Sequence, residues 1–311
     1  MKKNRKWLIL FVLVAILAGV YLYPAPVVTF DELYANVDPG VAASLQAFRE
    51  ARPPRTLELG GRNWQYLSLE ADSGPAETIL FLHGMTGAYD IWWQQIEVLQ
   101  HDYRVIAVTY PPVNSLEEME QAVMTILDAE GVDKFNVVGT SLGGYFAQFL
   151  VARHPDRIRR AVFSNTFPPN DIIAENNKTI GAALPYLPEW LVMNVLSGSM
   201  HESVYPASDY SELVLAFGLE QTNGRMSKAQ VVGRFHCVVE SFVPSAPVMP
   251  ALIIESDNDP LVEPALRAQL KTTYPAAAVY TFSGAGHFPY LNRPDEYTAV
   301  LREFFETAPA R

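Results

Sequence analysis

The run Gly139-Thr140-Ser141-Leu142-Gly143-Gly144 carries the clearest chemical meaning in this chain. It fits the pattern G-x-S-x-G, in which a serine occupies a sharp strand-to-helix turn that leaves its hydroxyl exposed. Phe135-Asn-Val-Val138 ahead of it reads as a strand, and residues 142–153 behind it read as a helix. Such a turn strains the backbone at the serine, and glycine at 139 and 143 lets the adjoining segments pass closely. The helix that follows points its first N–H groups toward the serine, which favours negative charge there. A serine in this setting serves nucleophilic attack on a carbonyl through a covalent intermediate. A glycine-rich turn with an idle serine has the same composition, so the neighbouring elements have to decide.

Those elements alternate. Short apolar runs at 56–59, 64–69, 78–82, 105–109, 135–138, 161–164, 251–255 and 279–282 read as strands. Several, such as Thr78-Ile-Leu-Phe-Leu82, are continuous and suit strands buried on both faces. Amphipathic stretches at 91–99, 116–130, 142–153, 264–273 and 295–307 read as helices. The alternation argues for an α/β fold with a mostly parallel sheet and helices on both faces. Residues 168–247 break it: no clear strand, helical apolar patches and five prolines between 168 and 206. An ordinary crossover needs far fewer residues, so this stretch reads as a helical cap over the strand ends. The core is then 56–167 plus 248–311. Residues 24–55 read as a linker and one amphipathic helix, with Leu33, Val37, Val41, Leu45 and Phe48 on one face.

The 311 residues carry a formal charge of −11, with 23 basic against 34 acidic side chains. Four of the basic residues lie in the first six positions, so the rest is more acidic still. Such a body repels phosphate backbones, and nucleic acid is not expected as a partner. The single cysteine, Cys237, excludes an intrachain disulfide framework and a cysteine-based zinc cluster. At the N-terminus a basic tail, 1–6, precedes an uncharged run, 7–23, edged by Trp7, Tyr21 and Tyr23. Seventeen helical residues span roughly 25 Å, near the lower limit for a bilayer. The run is expected to be a transmembrane signal anchor with a cytoplasmic N-terminus, which puts the body in the periplasm or outside the cell. Cleavage after Ala25 is the alternative, with Tyr23 a poor residue at −3 and Pro26 following.

With the serine turn set in alternating elements, the chain resembles the α/β-hydrolase fold over roughly residues 56–308. The resemblance implies an eight-stranded sheet and a Ser-His-Asp triad in the order Ser141, Asp259, His287. Asp259 fits the slot for the acid in Glu255-Ser-Asp-Asn-Asp-Pro-Leu-Val262, with Asp257 as the alternative. Either would also suit a helix cap. His287, in Ser283-Gly-Ala-Gly-His287, takes the place of the base. Phe81-Leu-His-Gly-Met-Thr-Gly87 stands where the fold carries its oxyanion loop. The hole would be formed by the backbone N–H groups of Met85 and Leu142, with His83 shaping the turn. The triad implies no cofactor, and the sequence offers no cluster of metal ligands.

Several segments are similar to the maspardin branch of the fold: Tyr103-Arg-Val-Ile-Ala107, Ser141-Leu-Gly-Gly144, Ser164-Asn-Thr-Phe167 and Phe288-Pro-Tyr-Leu291. That branch implies a binding role and an asparagine where this chain has His287. Three readings follow. The first is a membrane-anchored serine hydrolase acting on a small-molecule carboxylester. The second is a silent hydrolase fold that binds a protein partner. The third is carbon–carbon bond hydrolysis or perhydrolysis on the same fold. Ile172, Ile173, Leu184, Tyr186, Leu187, Trp190, Leu191 and Val195 give the cap an apolar surface suited to an acyl or aryl group, or simply to packing. Trp92 and Trp190 are the candidate substrate-binding aromatics. Asn177-Lys-Thr179 is a glycosylation sequon.

Overall fold

The computed structural model describes residues 2–24 and 28–307. The side chains of residues 2–5 and the cleavage point after Ala25 lie outside the described residues. The strands are β1 (Arg55–Leu59), β2 (Arg62–Leu69), β3 (Thr78–Leu82), β4 (Arg104–Thr109), β5 (Phe135–Thr140), β6 (Ile158–Ser164), β7 (Ala251–Ser256) and β8 (Ala278–Phe282). They form one sheet in the order β1-β2-β4-β3-β5-β6-β7-β8. β2 runs antiparallel to β1 and β4, and every other neighbouring pair is parallel. β3 shows why its run is continuously apolar. Leu80 and Leu82 enter the core on one face, Ile79 and Phe81 the core on the other. Period-two alternation with both faces covered leaves no position for a polar side chain.

The main helices are α1 (Lys2–Tyr21), α2 (Pro39–Ala51), α3 (Trp93–Leu99), α4 (Leu116–Ala129), α5 (Leu142–Arg153), α6 (Glu189–Ser199), α7 (Glu212–Glu220), α8 (Lys228–Val239), α9 (Pro264–Thr273) and α10 (Pro294–Glu306). α6 to α8 belong to a helical insert between β6 and β7. Among the described residues, no helix is long and apolar enough to cross a membrane. The transmembrane helix expected over 7–23 is thus not found. Helical structure ends at Tyr21, and residues 7–21 reach only about 22 Å against a hydrocarbon core of about 30 Å.

The single helix expected across 33–48 is two. A short helix, Phe30–Leu33, starts with a capping box between Thr29 and Glu32. α2 restarts at Pro39, with Asp38 accepting hydrogen bonds from the N–H groups of Gly40 and Val41. Proline has no N–H to continue a helix but suits its first position, so the break falls there.

A buried ionic cluster ties this N-terminal region to the core and the insert. Asp90, fully buried in the 3-10 turn Tyr89–Trp92, accepts from Arg49 Nε at 2.6 Å and pairs with Arg225 Nη2 at 2.9 Å. Arg49 also donates twice to Glu220, and the Tyr34 hydroxyl donates to the same carboxylate at 2.8 Å. Removing Asp90 leaves Arg49 and Arg225 to share a single carboxylate, that of Glu220. Asp90→Ala is expected to destabilise the protein by about 3 kcal/mol, the low end for a buried pair because both guanidiniums keep some water contact. A lowered thermal midpoint by circular dichroism checks this, and an unchanged midpoint refutes it.

Candidate active site

Ser141 joins β5 to α5 with φ 52° and ψ −120°. Positive φ brings Cβ against the backbone and is uncommon for any residue but glycine. The turn is fastened at both ends. Ser141 N–H donates to Ser164 O at 3.0 Å, and its carbonyl accepts from Thr166 Oγ1 at 2.6 Å and Tyr145 N at 2.9 Å. The glycines at 139 and 143 are required by contact. A Cβ on Gly143 would lie 2.1 Å from Leu82 O in β3, and one on Gly139 would lie 2.1 Å from Gly143 O. The helix start can therefore approach the sheet only without side chains at these positions.

Asp259 and His287 meet from the loops after β7 and β8. His287 Nδ1 lies 2.9 Å from Asp259 Oδ2 and 3.0 Å from Oδ1, and both side chains are buried. The N–H groups of Leu261 and Val262 donate to Asp259 Oδ1, and Asn165 Nδ2 donates to Oδ2 at 2.9 Å. Burial alone would raise the carboxyl's pKa. The facing imidazole and these donors outweigh it and hold Asp259 below the ordinary aspartate value of 3.8. Asp257 does not reach His287. It binds Ser283 Oγ and Gly284 N–H, tying the β7 and β8 loops together at the surface. Ser141 and His287 border the same cavity. Among the described residues, Ser141 Oγ has no hydrogen-bond partner.

Asn165 belongs to this group and was not singled out from the sequence. It sits just past β6 with φ 42° and holds Asp259, Ser256 Oγ and Gly286 O through one amide nitrogen. The available signal was a polar residue directly after an apolar strand, in Ser164-Asn-Thr-Phe167.

The loop after β3 is equally ordered. His83 is buried, its Nδ1 2.6 Å from Gly84 O, while Nε2 lies 3.2 Å from the Tyr110 N–H. A carbonyl must receive a proton and an N–H must supply one, so Nδ1 carries the hydrogen. Burial, with the Arg234 charge nearby, pushes the imidazole well below its usual pKa and keeps it neutral. Among the described residues, the N–H groups of Met85 and Leu142 have no hydrogen-bond partner, and Met85 borders the cavity.

That cavity measures about 450 Å³ and is mainly apolar. Ile173, Leu184, Leu187 and Val195 from the insert line it, together with Phe235 and Met200. Ile172, Tyr186, Trp190 and Leu191, expected on the same surface, do not. The two candidate substrate-binding tryptophans need correction. Trp92 is fully buried among Phe81, Tyr290 and Tyr297, as a core residue. Trp190 lies outside the cavity, where its Nε1 donates to Val20 O of α1 at 2.8 Å. Asn177, the sequon residue, lines the cavity and donates to Ile173 O. Burial pushes the Cys237 thiol up to about 12, so it is not a thiolate nucleophile at neutral pH. Among the described residues, no three His, Cys, Asp or Glu side chains are grouped to hold a metal ion.

Residues 77–199 match the family model described as the alpha/beta hydrolase fold. The esterase YbfF of Escherichia coli is 26% identical over 244 residues, covering 73% of this chain and 92% of the esterase. Together with the sheet order and the serine turn, these matches show that the chain has the α/β-hydrolase fold. It is an enzyme of that fold, with maspardin-like relatives. Maspardin of Mus musculus is 24% identical over 240 residues, 74% of this chain and 76% of maspardin. Among solved structures, the enol-lactonase from Burkholderia xenovorans LB400 superposes with a TM-score of 0.70 at 20% identity, over 81% of this chain and 100% of its own. A membrane phospholipase A described as a bacterial virulence factor has a TM-score of 0.62 at 17% identity, over 97% of this chain and 98% of its own.

The depressed pKa of Asp259 has a sign. A carboxyl held below its unfolded value stabilises the fold above the ordinary aspartate range, and that contribution disappears as pH falls through the folded value. Wild-type stability is therefore expected to drop between about pH 5 and pH 2, and the drop to be shallower in Asp259→Asn, which has no charge to lose. Thermal midpoints across that range check it; parallel curves would refute it.

Proposed function

We propose that the protein is a serine hydrolase that cleaves a carboxylic ester whose acyl or aryl group occupies the apolar cavity. The observation that carries this reading is the buried Asp259–His287 pair opening into the same cavity as the strained Ser141. The Ser141 hydroxyl turns about its Cα–Cβ bond toward His287 Nε2; catalytic hydrogen bonds are often unformed without substrate. Nε2 takes the Oγ proton as Oγ bonds to the ester carbonyl carbon and the π pair moves onto oxygen. Asp259 orients the imidazole and stabilises the imidazolium. The backbone N–H groups of Met85 and Leu142 receive the oxyanion; being fixed beforehand, they stabilise it without reorganising. Collapse restores the carbonyl and expels the alcohol, which takes the proton from Nε2. Water then repeats the sequence on the acyl-serine and releases the acid.

The helical insert serves as a cap in this reading, since Leu184, Leu187 and Phe235 line the cavity that holds Ser141. Similarity to an esterase, and on fold to a membrane phospholipase A, favours an ester with an apolar chain. Similarity to maspardin favours the second reading, a silent fold that binds a protein. A fluorophosphonate probe separates them. Wild type is expected to label and to hydrolyse p-nitrophenyl esters, with longer acyl chains preferred over acetyl. Ser141→Ala is expected to lose labelling and at least about 10³-fold in kcat. Failure of the wild type to label would favour the binding role.

We also propose that α1 lies on a membrane surface and holds the protein there. Its side chains from Trp7 to Leu13 are exposed and apolar, and basic residues that suit anionic headgroups precede them. The full chain is expected to sediment with membranes and a chain lacking residues 1–28 to stay in the supernatant; equal partition would refute it.

A further inference from the structure

Arg234 of α8 is a charged side chain in an unusual place. It is 1 % exposed, and main-chain carbonyls receive nearly all its hydrogen bonds. Nη1 donates to Met85 O at 2.6 Å and Gly87 O at 3.2 Å, and Nη2 donates to Tyr110 O at 2.7 Å. Nη1 also lies 3.4 Å from Met226 Sδ, and the guanidinium stands over the Tyr110 ring at 5.8 Å. Among the described residues it has no carboxylate partner. Burying an unpaired charge is strongly unfavourable, so an apolar residue of similar size would be the more stable choice here. Burial lowers its pKa to about 10, which still leaves it protonated at neutral pH.

The loop it grips contains the Met85 N–H. A peptide unit is planar and trans, so its C=O and N–H point in opposite directions. His83 Nδ1 holds the Gly84 carbonyl, and the Met85 N–H is the other end of that same unit. Arg234 holds the next carbonyl, that of Met85, and the one at Gly87. The Met85 peptide is thus clamped on both sides, by the core through His83 and by the insert through Arg234. The two clamps also depend on each other. The Arg234 charge disfavours a second proton on His83, and a protonated Nε2 could not accept from Tyr110.

We propose that Arg234 is a positioning residue for the oxyanion loop: the insert, besides covering the cavity, sets the orientation of the Met85 N–H and lends the developing oxyanion an unneutralised positive charge. This rests on the serine-hydrolase reading. A side chain with this duty affects the transition state more than substrate binding.

The test uses the full chain as wild type, Arg234→Met and Arg234→Lys. Active sites are counted by fluorophosphonate titration, so kcat refers to folded enzyme alone. A trifluoromethyl ketone, which forms a tetrahedral adduct with an oxyanion, is compared with the matching secondary alcohol, which does not. Arg234→Met is expected to lower kcat by roughly 10- to 100-fold, with KM within about twofold. Ketone affinity is expected to fall by a similar factor and alcohol affinity to hold. Arg234→Lys, able to hold one carbonyl at a time, is expected to lose less but in the same pattern. Wild-type kcat and ketone affinity in a folded Arg234→Met would overturn the proposal, as would equal losses for ketone and alcohol. Should Arg234→Met not fold, Arg234→Lys decides on the same criteria. A wild type that neither labels nor hydrolyses removes the hydrolase reading and this inference together; an active wild type with indifferent variants removes the inference alone.

Discussion

Ser141 stands on a backbone conformation that an L-residue resists, and much of the surrounding structure holds it there. Strain of this kind costs on the order of 1–3 kcal/mol and persists only where neighbouring contacts over-determine it. Here they do. The turn is pinned to the end of β6 through Ser164 and Thr166, and the start of α5 is pressed against β3 so closely that position 143 admits no Cβ. The central place of β5, between β3 and β6, makes this possible. Loops leaving the same end of neighbouring parallel strands meet there, and ligands commonly bind outside the carboxyl ends of such strands.

The insert between β6 and β7 takes part in that convergence from above. Arg234 grips the loop after β3. At the other end of the site, Asn258 donates to Ala207 O of the insert and accepts from Gly286 N–H, beside His287. The ionic cluster of Arg49, Asp90, Glu220 and Arg225 fastens the same insert to the N-terminal helix and the core. Displacing the insert would thus disturb the loop after β3 and the loop that carries His287 together. The cover of the cavity and the loops that border it are joined by these polar contacts, while the lining itself is mainly apolar.

The strands were readable because burial on both faces of a sheet demands unbroken apolar runs, and all eight fall within a few residues of where those runs lie. Helix and turn signals were also local, apart from Pro39, where one helical face continues across a break in the backbone. The tryptophans were not readable. An indole shielded by Phe81 and Tyr290 and one bonded to the end of α1 look alike as letters, because what distinguishes them is the neighbour across the fold. Asn165 was hidden for the same reason: its worth lies in bonds to residues 91 and more positions away.

What the sequence determined by itself was therefore everything that depends on near neighbours: apolar period, glycine where chains touch at the serine turn, and the types of side chain capable of acyl transfer. What only the tertiary structure decided was which of two aspartates faces the imidazole, which apolar residues bound the cavity, and that a buried arginine from the insert reaches the loop after β3. Each of these is a contact between segments far apart in the chain. The sheet order and the path of the insert set such contacts, and hydrogen bonds of about 3 Å tolerate little error in either.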